Sequence, residues 1–237
     1  MTGRPTVFLL PGLLCDATVW RDQAAVLGES HDVVIPDFFG LSSIGDMAAR
    51  VLDQAPARFS VAGHSMGGRV ALEIVRRVPE RVERLALLDT GVHPRRPGEE
   101  DKRQELVDLA YRQGMQALAA RWLPPMVHPD RVADETLMEE LTAMVCRATP
   151  EIHEGQIRAL LDRPDASVQL GDIAVPTLLV CGRQDAWSPL AQHEAMASSI
   201  PGARLVVIED SGHMSTVEQP AAVTAALAQW LRTPANA

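Results

Sequence analysis

The sequence predicts a doubly wound α/β fold, in which a mostly parallel β-sheet is covered by helices on both faces. Short, continuously apolar runs recur along the chain, which is typical of strands buried on both sides. Segments with helix-like spacing of apolar residues fill the intervals between these runs. Strand and helix therefore alternate, as a doubly wound sheet requires, and one long charged stretch that breaks the alternation predicts a helical insertion.

The predicted elements follow one another in a regular order. Six apolar runs are expected to form strands, at residues 6–10, 32–35, 59–62, 85–88, 177–180 and 204–208. Five segments with helical periodicity are expected to form helices, at residues 19–27, 44–54, 67–78, 190–199 and 221–231. Proline or glycine opens or closes several of these helices, which supports their boundaries.

Residues 92–165 interrupt the alternation with charge-rich helical segments and repeated prolines. We expect them to form a helical lid, here called the insertion, on a core made of residues 1–91 and 166–237. Ligands of open α/β sheets bind outside the carboxyl ends of the strands, and the insertion leaves the sheet at such an end. It is therefore expected to cover the ligand site, although helices that merely extend the core are the alternative.

The composition excludes several classes of protein. In 237 residues, 46% are hydrophobic, which is enough for a sizeable core. A net charge of −9 disfavours nucleic acids and anionic membrane surfaces as partners. The cysteines, Cys15, Cys146 and Cys181, are odd in number and widely separated, which argues against disulfides and for the cytoplasm. The apolar run at 7–14 is broken by Pro-Gly and has no cleavage site, so we expect neither a signal peptide nor a membrane span.

The most informative motif is Gly-His-Ser-Met-Gly at residues 63–67. It lies between an apolar run and a helix-like segment, which indicates a strained strand-to-helix turn that exposes a serine hydroxyl. Gly63 and Gly67 fit this turn because a Cβ at either position would collide with the neighbouring element. Ser65 is therefore the candidate nucleophile.

A serine nucleophile needs a base and an orienting acid, and this fold supplies them in the order Ser, Asp or Glu, His. Ser-Gly-His at residues 211–213 follows the last predicted strand, so His213 is the candidate base. Gly-Arg-Gln-Asp at residues 182–185 follows the preceding strand, so Asp185 is the candidate acid that fixes the imidazole tautomer. Asp89 also ends a strand and is the alternative acid. His64, beside the serine, is expected to have a packing role.

On these motifs the chain resembles the α/β-hydrolase family. The resemblance begins at residues 9–14, Leu-Leu-Pro-Gly-Leu-Leu, and continues through the motifs at 63–68, 182–185 and 211–213. Residues 200–220 are similar to small bacterial members such as the 3-oxoadipate enol-lactonases and their esterase relatives. The resemblance implies an α/β-hydrolase fold with a Ser-His-Asp triad. It also implies an oxyanion hole formed by the backbone N–H groups of Leu13 and Met66, with Leu14 as the alternative to Leu13.

Side chains that form the substrate pocket are expected to come mainly from the insertion. We predict that substrate contacts Trp20, Trp122, Met126 and Trp187. Further apolar candidates, each equally suited to helix packing, are Tyr111, Met115, Leu137, Met144 and Val145. An apolar lining predicts a small hydrophobic or moderately polar acyl group.

The expected reaction is hydrolysis of a small-molecule ester or lactone through an acyl-enzyme, with no cofactor. No cluster has metal-ligand spacing, and the turn after the first strand lacks the glycines of a dinucleotide site or P-loop. The same triad would also serve a carbon–carbon bond hydrolase, a thioesterase or an acyltransferase. A hydrolase-fold ligand receptor is the alternative outside enzymes, because fold does not dictate function.

Overall fold

The computed structural model describes residues 3–235, and a parallel β-sheet forms the centre of this region. Its strands are β1 (Thr6–Leu10), β2 (Asp32–Val34), β3 (Phe59–His64), β4 (Val82–Leu88), β5 (Thr177–Gly182) and β6 (Arg204–Ile208). Within the described residues the sheet has the order β2-β1-β3-β4-β5-β6, and every pairing is parallel. Each strand includes most or all of one predicted apolar run. The predicted fold class is confirmed.

The helices also match the predicted order, with boundaries shifted by one or two residues. They are α1 (Arg21–Leu27), α2 (Ile44–Leu52), α3 (Met66–Arg77), α4 (Glu99–Trp122), α5 (Glu135–Val145), α6 (Pro150–Leu161), α7 (Leu190–Ser199), α8 (Ser215–Glu218) and α9 (Pro220–Leu231). The first predicted helix begins as a separate 3-10 turn, Ala17–Trp20, in which Asp16 Oδ1 accepts a hydrogen bond from the Thr18 N–H. Helix α8 was not predicted.

The sheet is buried at its centre and more open at its edges. All of β3 and β5 is buried, whereas the edge strands β2 and β6 consist largely of half-buried residues. Helices cover both faces of the sheet at its centre, which is the environment that continuous apolar runs indicate.

Successive strands are added on one side of β1 and then on the other, and this change of direction gives the expected position of the ligand site. From β1 the chain moves to β2 on one side, and then crosses back to β3 on the other. Because crossovers are right-handed, this change of direction puts α1 and α2 on opposite faces of the sheet. Accordingly α1 packs on α9, and α2 packs on α3. The crevice outside the carboxyl ends of β1 and β3 is the expected ligand position in such a sheet.

Between β4 and β5 the chain forms α4, α5 and α6, and α4 packs against both of the others. Helix α4 is interrupted at Gly114, where φ is +81° and ψ is 173°. No atom lies within 4 Å of the position that a Cβ would take there, so glycine is required by its backbone conformation and not by lack of space. The boundaries 92 and 165 of the insertion remain our prediction.

None of the helices within residues 3–235 combines the length and apolar composition that a bilayer-spanning helix requires.

The contact between α3 and β1 yields a stability prediction. A Cβ at Gly67 would lie 2.2 Å from the carbonyl oxygen of Leu10, which is backbone that cannot move aside. We expect Gly67→Ala to lower the free energy of unfolding by about 1–3 kcal/mol, because the helix must shift away from the strand. Urea unfolding followed by circular dichroism measures this.

The matched control is Gly171→Ala, since no atom lies within 4 Å of the Cβ position at that glycine. Its expected effect is neutral or stabilising by up to about 1 kcal/mol, through the lower entropy of the unfolded chain. Equal unfolding free energies for the two variants would contradict the close approach of α3 to β1.

Candidate active site

Ser65 lies on the sharp turn between β3 and α3. Its φ of 53° and ψ of −114° are unusual for a residue with a side chain, and such strain concentrates at functional sites. The Ser65 N–H donates to the Leu88 carbonyl at 2.9 Å, which fixes the turn to β4. A Cβ at Gly63 would lie 2.2 Å from the carbonyl oxygen of Gly67, so the turn closes only with glycine. The predicted geometry of the pentapeptide is present.

The structure brings Ser65, His213 and Asp185 together at the carboxyl edge of the sheet. His213 Nε2 lies 2.8 Å from Ser65 Oγ, and His213 Nδ1 lies 2.8 Å from Asp185 Oδ2. A carboxylate can only accept a hydrogen bond, so the imidazole hydrogen is on Nδ1 and is donated to Asp185. Nε2 is then unprotonated and can accept the hydrogen bond of the Ser65 hydroxyl. The structure thus brings together the three residues that the sequence motifs predicted as nucleophile, base and orienting acid.

The Asp185 carboxylate is oriented by backbone donors as well as by the imidazole. Its Oδ1 accepts hydrogen bonds from the Trp187 and Ser188 N–H groups, both at 2.8 Å. Burial works against ionisation, but the neighbouring His213 and these donors hold the pKa of Asp185 below its ordinary value. Asp185 is therefore a fixed negative charge at neutral pH.

This charge acts directly on His213. Burial disfavours the imidazolium, but the charge of Asp185 and its hydrogen bond outweigh burial, so the pKa of His213 is raised above 6.5. The main chain of His213 is also held on both sides. Its N–H donates to the Met126 carbonyl at 2.7 Å, and its carbonyl accepts from His64 Nε2 at 2.8 Å.

His64 is a fixed donor in this arrangement. Burial and the neighbouring His213 lower the pKa of His64 to about 4, so the ring is neutral and carries its hydrogen on Nε2. The ring packs against His213 with centroids 5.5 Å apart. Its place in the structure is support for the loop that carries the base.

Glu218, which the sequence analysis did not single out, ties the His213 loop to the insertion. Its side chain is buried, Oε1 accepts from the Gly212 N–H at 2.9 Å, and Oε2 accepts from the His128 N–H at 2.6 Å. A signal was present in the sequence. Between residues 211 and 231, Glu218 is the one charged residue when histidine is taken as neutral.

Asp89, the alternative acid, bonds to other groups. Its Oδ1 accepts from the Gly182 N–H at 2.9 Å, and its Oδ2 accepts from Ser215 Oγ. Burial first, and then the charge of Asp185, raise the pKa of Asp89 to about 8. The structure therefore brings Asp185, and not Asp89, to His213 Nδ1.

Asp89, Asp185 and Cys181 have donor atoms within 4.8 Å of one another, which is the spacing of a possible cation site. All four carboxylate oxygens already accept hydrogen bonds, from His213 and from backbone and hydroxyl donors. These hydrogen bonds account for the position of each carboxylate, so the cluster by itself is no evidence of a metal site.

The candidate oxyanion donors differ in whether their N–H groups already donate a hydrogen bond within the protein. The Leu14 N–H donates to Gln156 Oε1 of the insertion at 2.8 Å. Among residues 3–235, the N–H groups of Leu13 and Met66 have no hydrogen-bond partner, and both residues line the pocket beside Ser65. The geometry favours Leu13 over Leu14.

The pocket has a volume of about 330 Å³ and is lined by the core and by the insertion. Of the predicted substrate contacts, Trp122, Met126 and Trp187 line it. Trp20 does not, and that prediction is corrected: the side chain is fully buried and packs edge-on against His64, with ring centroids 6.5 Å apart. Its 3-10 turn directs the indole into the core.

The other apolar candidates of the insertion also lie outside the pocket lining. Met115, Leu137, Met144 and Val145 are buried. The Tyr111 side chain is 49% exposed, and its hydroxyl donates to Glu154. Helix packing explains the first four, and solvent exposure the last.

The sequence analysis missed the basic side chains of the pocket wall, which are Arg69, Arg96, Lys102, Arg103 and Arg163. All but Arg69 belong to the charge-rich insertion, and charged helical segments are typical of a solvated surface. Arg69 could have been found, because it follows Ser65 by four residues on the predicted helix.

Comparisons with known proteins agree with this geometry. A sequence model described as "Alpha/beta hydrolase family" matches residues 7–227. A protein of Azorhizobium caulinodans, provisionally named a carbamate hydrolase, is 31% identical over 92% of this chain and 87% of its own length. A thermophilic esterase from Thermogutta terrifontis superposes with a TM-score of 0.89 at 30% identity, covering 98% of this chain and 90% of that one. The enol-lactonase from Burkholderia xenovorans LB400 superposes with a TM-score of 0.88 at 26% identity, covering 97% and 92%.

The contacts of Glu218 yield a second prediction. In Glu218→Gln one carboxylate oxygen becomes an NH₂ group, so either Gly212 or His128 loses its acceptor. A buried donor without a partner costs about 1–3 kcal/mol, and we expect the free energy of unfolding to fall by that amount. Glu80→Gln, at an exposed position, is the control and should stay within about 0.5 kcal/mol of the parent. If Glu218→Gln and the parent unfold at the same urea concentration, the hydrogen bonds of Glu218 do not stabilise the fold.

Proposed function

Since this chain belongs to the alpha/beta hydrolase family, we propose that it is a serine hydrolase that cleaves a small-molecule carboxylic ester or lactone. The observation that carries the proposal is the 2.8 Å approach of His213 Nε2 to Ser65 Oγ, with Asp185 behind the imidazole. The similarity to an esterase and an enol-lactonase supports acyl transfer as the reaction. Ser65 is the proposed nucleophile, His213 the base and Asp185 the orienting acid.

Acylation begins when His213 Nε2 takes the proton of Ser65 Oγ as the oxygen attacks the substrate carbonyl carbon. Negative charge develops on the carbonyl oxygen, and the N–H groups of Leu13 and Met66, which have no hydrogen-bond partner among residues 3–235, are the proposed donors to it. The N-terminal end of α3 adds its positive dipole at the same point. Loss of one such donor typically slows catalysis by roughly 10²–10³.

The imidazolium is stabilised by the fixed charge of Asp185, and it then protonates the leaving alkoxide from Nε2. A water molecule repeats the sequence on the acyl-enzyme. His213 removes its proton, the carbonyl oxygen again receives hydrogen bonds, and Ser65 recovers its hydrogen as the acid departs. Every proton moves through side chains of the chain, so the proposal includes no cofactor.

A fluorophosphonate probe tests the nucleophile. We expect a single covalent adduct on Ser65, located by peptide mass spectrometry, because the probe reacts with a serine whose proton has a base to receive it. Ser65→Ala should abolish labelling, and Ser198→Ala, at an exposed position on α7, should retain it. A folded parent that remains unlabelled, or labelling that persists in Ser65→Ala, would refute the proposed nucleophile.

The pH dependence of kcat/KM tests the base. Only the neutral imidazole accepts the serine proton, so activity should rise with pH through an acidic limb. Because the pKa of His213 is raised, the midpoint of that limb should lie above 6.5. Asp185→Asn removes the charge that raises this pKa, so the midpoint should move to lower pH and kcat should fall roughly 10²-fold or more.

Asp89→Asn is the matched variant, since it changes the other buried aspartate of the cluster and leaves His213 Nδ1 in contact with Asp185. It should keep a far larger share of kcat than Asp185→Asn. If Asp89→Asn shows the greater loss, the acid is Asp89 and the assignment of Asp185 is wrong.

A substrate screen separates the candidate bonds. Carbamate hydrolysis is the second candidate, favoured by the relative that is 31% identical to this chain. The same attack on a carbamate carbonyl would produce a carbamoyl-enzyme. We expect kcat/KM for 4-nitrophenyl esters and lactones to exceed that for matched carbamates and acyl thioesters, with Ser65→Ala as the blank. A higher kcat/KM for carbamates or thioesters would contradict the ester and lactone proposal and identify that bond as the one cleaved.

A further inference from the structure

The pocket wall has an unexpected excess of positive charge. Five basic side chains line it, those of Arg69, Arg96, Lys102, Arg103 and Arg163, against one acidic side chain, Glu99. The chain as a whole carries a net charge of −9, so the pocket is opposite in sign to the protein around it. Field lines in such a cleft draw anions towards the catalytic serine.

Two of these groups are explained by the fold of the insertion. Arg163 is buried and donates to both carboxylate oxygens of Glu99 and to backbone carbonyls. Arg103 Nε also donates to Glu99, at 2.8 Å. Glu99 thus holds two arginines of the insertion, and its charge is neutralised by them.

Arg69 is different, because it lies on α3 in the core, four residues after Ser65. That spacing is one helical turn, about 6 Å along the axis. Its guanidinium donates from Nη1 to the His93 carbonyl at 2.9 Å. Within residues 3–235 no carboxylate lies in ion-pair distance of it, and Nε and Nη2 have no hydrogen-bond partner.

Two other arginines of this chain bind carboxylates with the Nε–Nη2 edge that has no hydrogen-bond partner in Arg69. Arg76 holds Glu73 with Nε and Nη2, at 2.8 and 2.7 Å. Arg183 holds Glu209 with the same two atoms. Both pairs are bidentate, the geometry in which the planar guanidinium matches a carboxylate.

Arg69 and Gly91 both line the pocket. A Cβ at Gly91 would lie 2.9 Å from Gln192 Oε1 and 3.5 Å from Arg69 Nη2, so a larger residue there would crowd the guanidinium. Burial first, and then the positive charge of Arg163, lower the pKa of Arg69 to about 9, which still leaves the group charged at neutral pH. A mostly buried charge without a counterion is costly, so binding of an anion relieves it.

We infer that Arg69 binds a free carboxylate of the substrate, so that the hydrolysed ester or lactone is derived from a dicarboxylic acid. The inference rests on the proposed function. Substrate would place its reacting carbonyl at Ser65 Oγ and its free carboxylate on the Nε–Nη2 edge, with a few methylene groups between them. Met126, Ile157 and Leu160 line the pocket and supply the apolar surface for that chain. This replaces the hydrophobic or moderately polar acyl group expected from the sequence.

The discrimination should be large, because a neutral substrate would leave the guanidinium desolvated and unpaired. Exposed Arg96 and Lys102 at the same pocket add long-range attraction for an anion. The preference should therefore weaken as salt screens the charges.

The test compares 4-nitrophenyl hydrogen adipate with its neutral carboxamide analogue, which has the same length and leaving group. Adipate is chosen because its longer chain makes uncatalysed attack by its own carboxylate slow. The parent enzyme should favour the anionic ester in kcat/KM by about 10-fold or more. Arg69→Met should reduce that ratio about 10-fold or more, chiefly through KM of the anionic ester, and Arg69→Lys should fall between the two.

The control is Arg112→Met, which removes an arginine of α4 whose side chain is 68% exposed and which does not line the pocket. It should keep the ratio of the parent. A measurement on the unaltered enzyme covers the case in which Arg69→Met does not fold: the ratio should fall between about 0.02 and 0.5 M NaCl.

The outcomes separate the inference from the function on which it rests. Turnover of both esters without preference for the anion, a preference insensitive to salt, or an unchanged ratio in folded Arg69→Met overturns the carboxylate site and leaves the hydrolase proposal standing. Turnover of neither ester by folded protein, together with absence of fluorophosphonate labelling, overturns both.

Discussion

The structure around the candidate site depends on one buried imidazole held between a carboxylate and a hydroxyl. His213 is fixed by Asp185 at Nδ1, by the Met126 carbonyl at its N–H, and by His64 at its own carbonyl. A ring with this much support keeps Nε2 aimed at Ser65 without reorganisation, which is the condition under which general-base catalysis is efficient.

The buried acidic groups behind His213 and the basic groups of the pocket wall are arranged differently. Behind His213, Asp89 and Asp185 lie close together, and burial with mutual repulsion raises the pKa of Asp89 to about 8. Ionisation of Asp89 is thereby disfavoured, and Asp185 is the carboxylate that contacts the imidazole. Arg69, which lines the pocket, has no carboxylate within ion-pair distance among residues 3–235. The carboxylates behind His213 have hydrogen-bond partners within the chain, whereas the anion partner of Arg69 is the subject of our proposal.

Much of the fold could be predicted from local sequence because the signals are local. Each apolar run predicts a strand, and its position is set by burial on both faces. The glycines at 63 and 67 predict the elbow because a Cβ at either one would meet backbone about 2.2 Å away. Errors occurred where the sequence carried no directional information: the indole of Trp20 was expected in the pocket and lies in the core, because periodicity does not say which way a 3-10 turn faces.

The sequence by itself determined the order of strands and helices and identified Ser65, Asp185 and His213 as candidates, since motif spacing and apolar periodicity are properties of short segments. Only the tertiary structure decided which aspartate meets the imidazole, and which N–H groups near the serine stay free. The Leu14 N–H donates a hydrogen bond to Gln156 Oε1, which is 142 residues further along the chain. It also decided that, among residues 3–235, no carboxylate pairs with Arg69, whereas Arg163 donates to Glu99 and to several carbonyls. Such facts depend on which side chains from distant segments meet, and packing alone settles that.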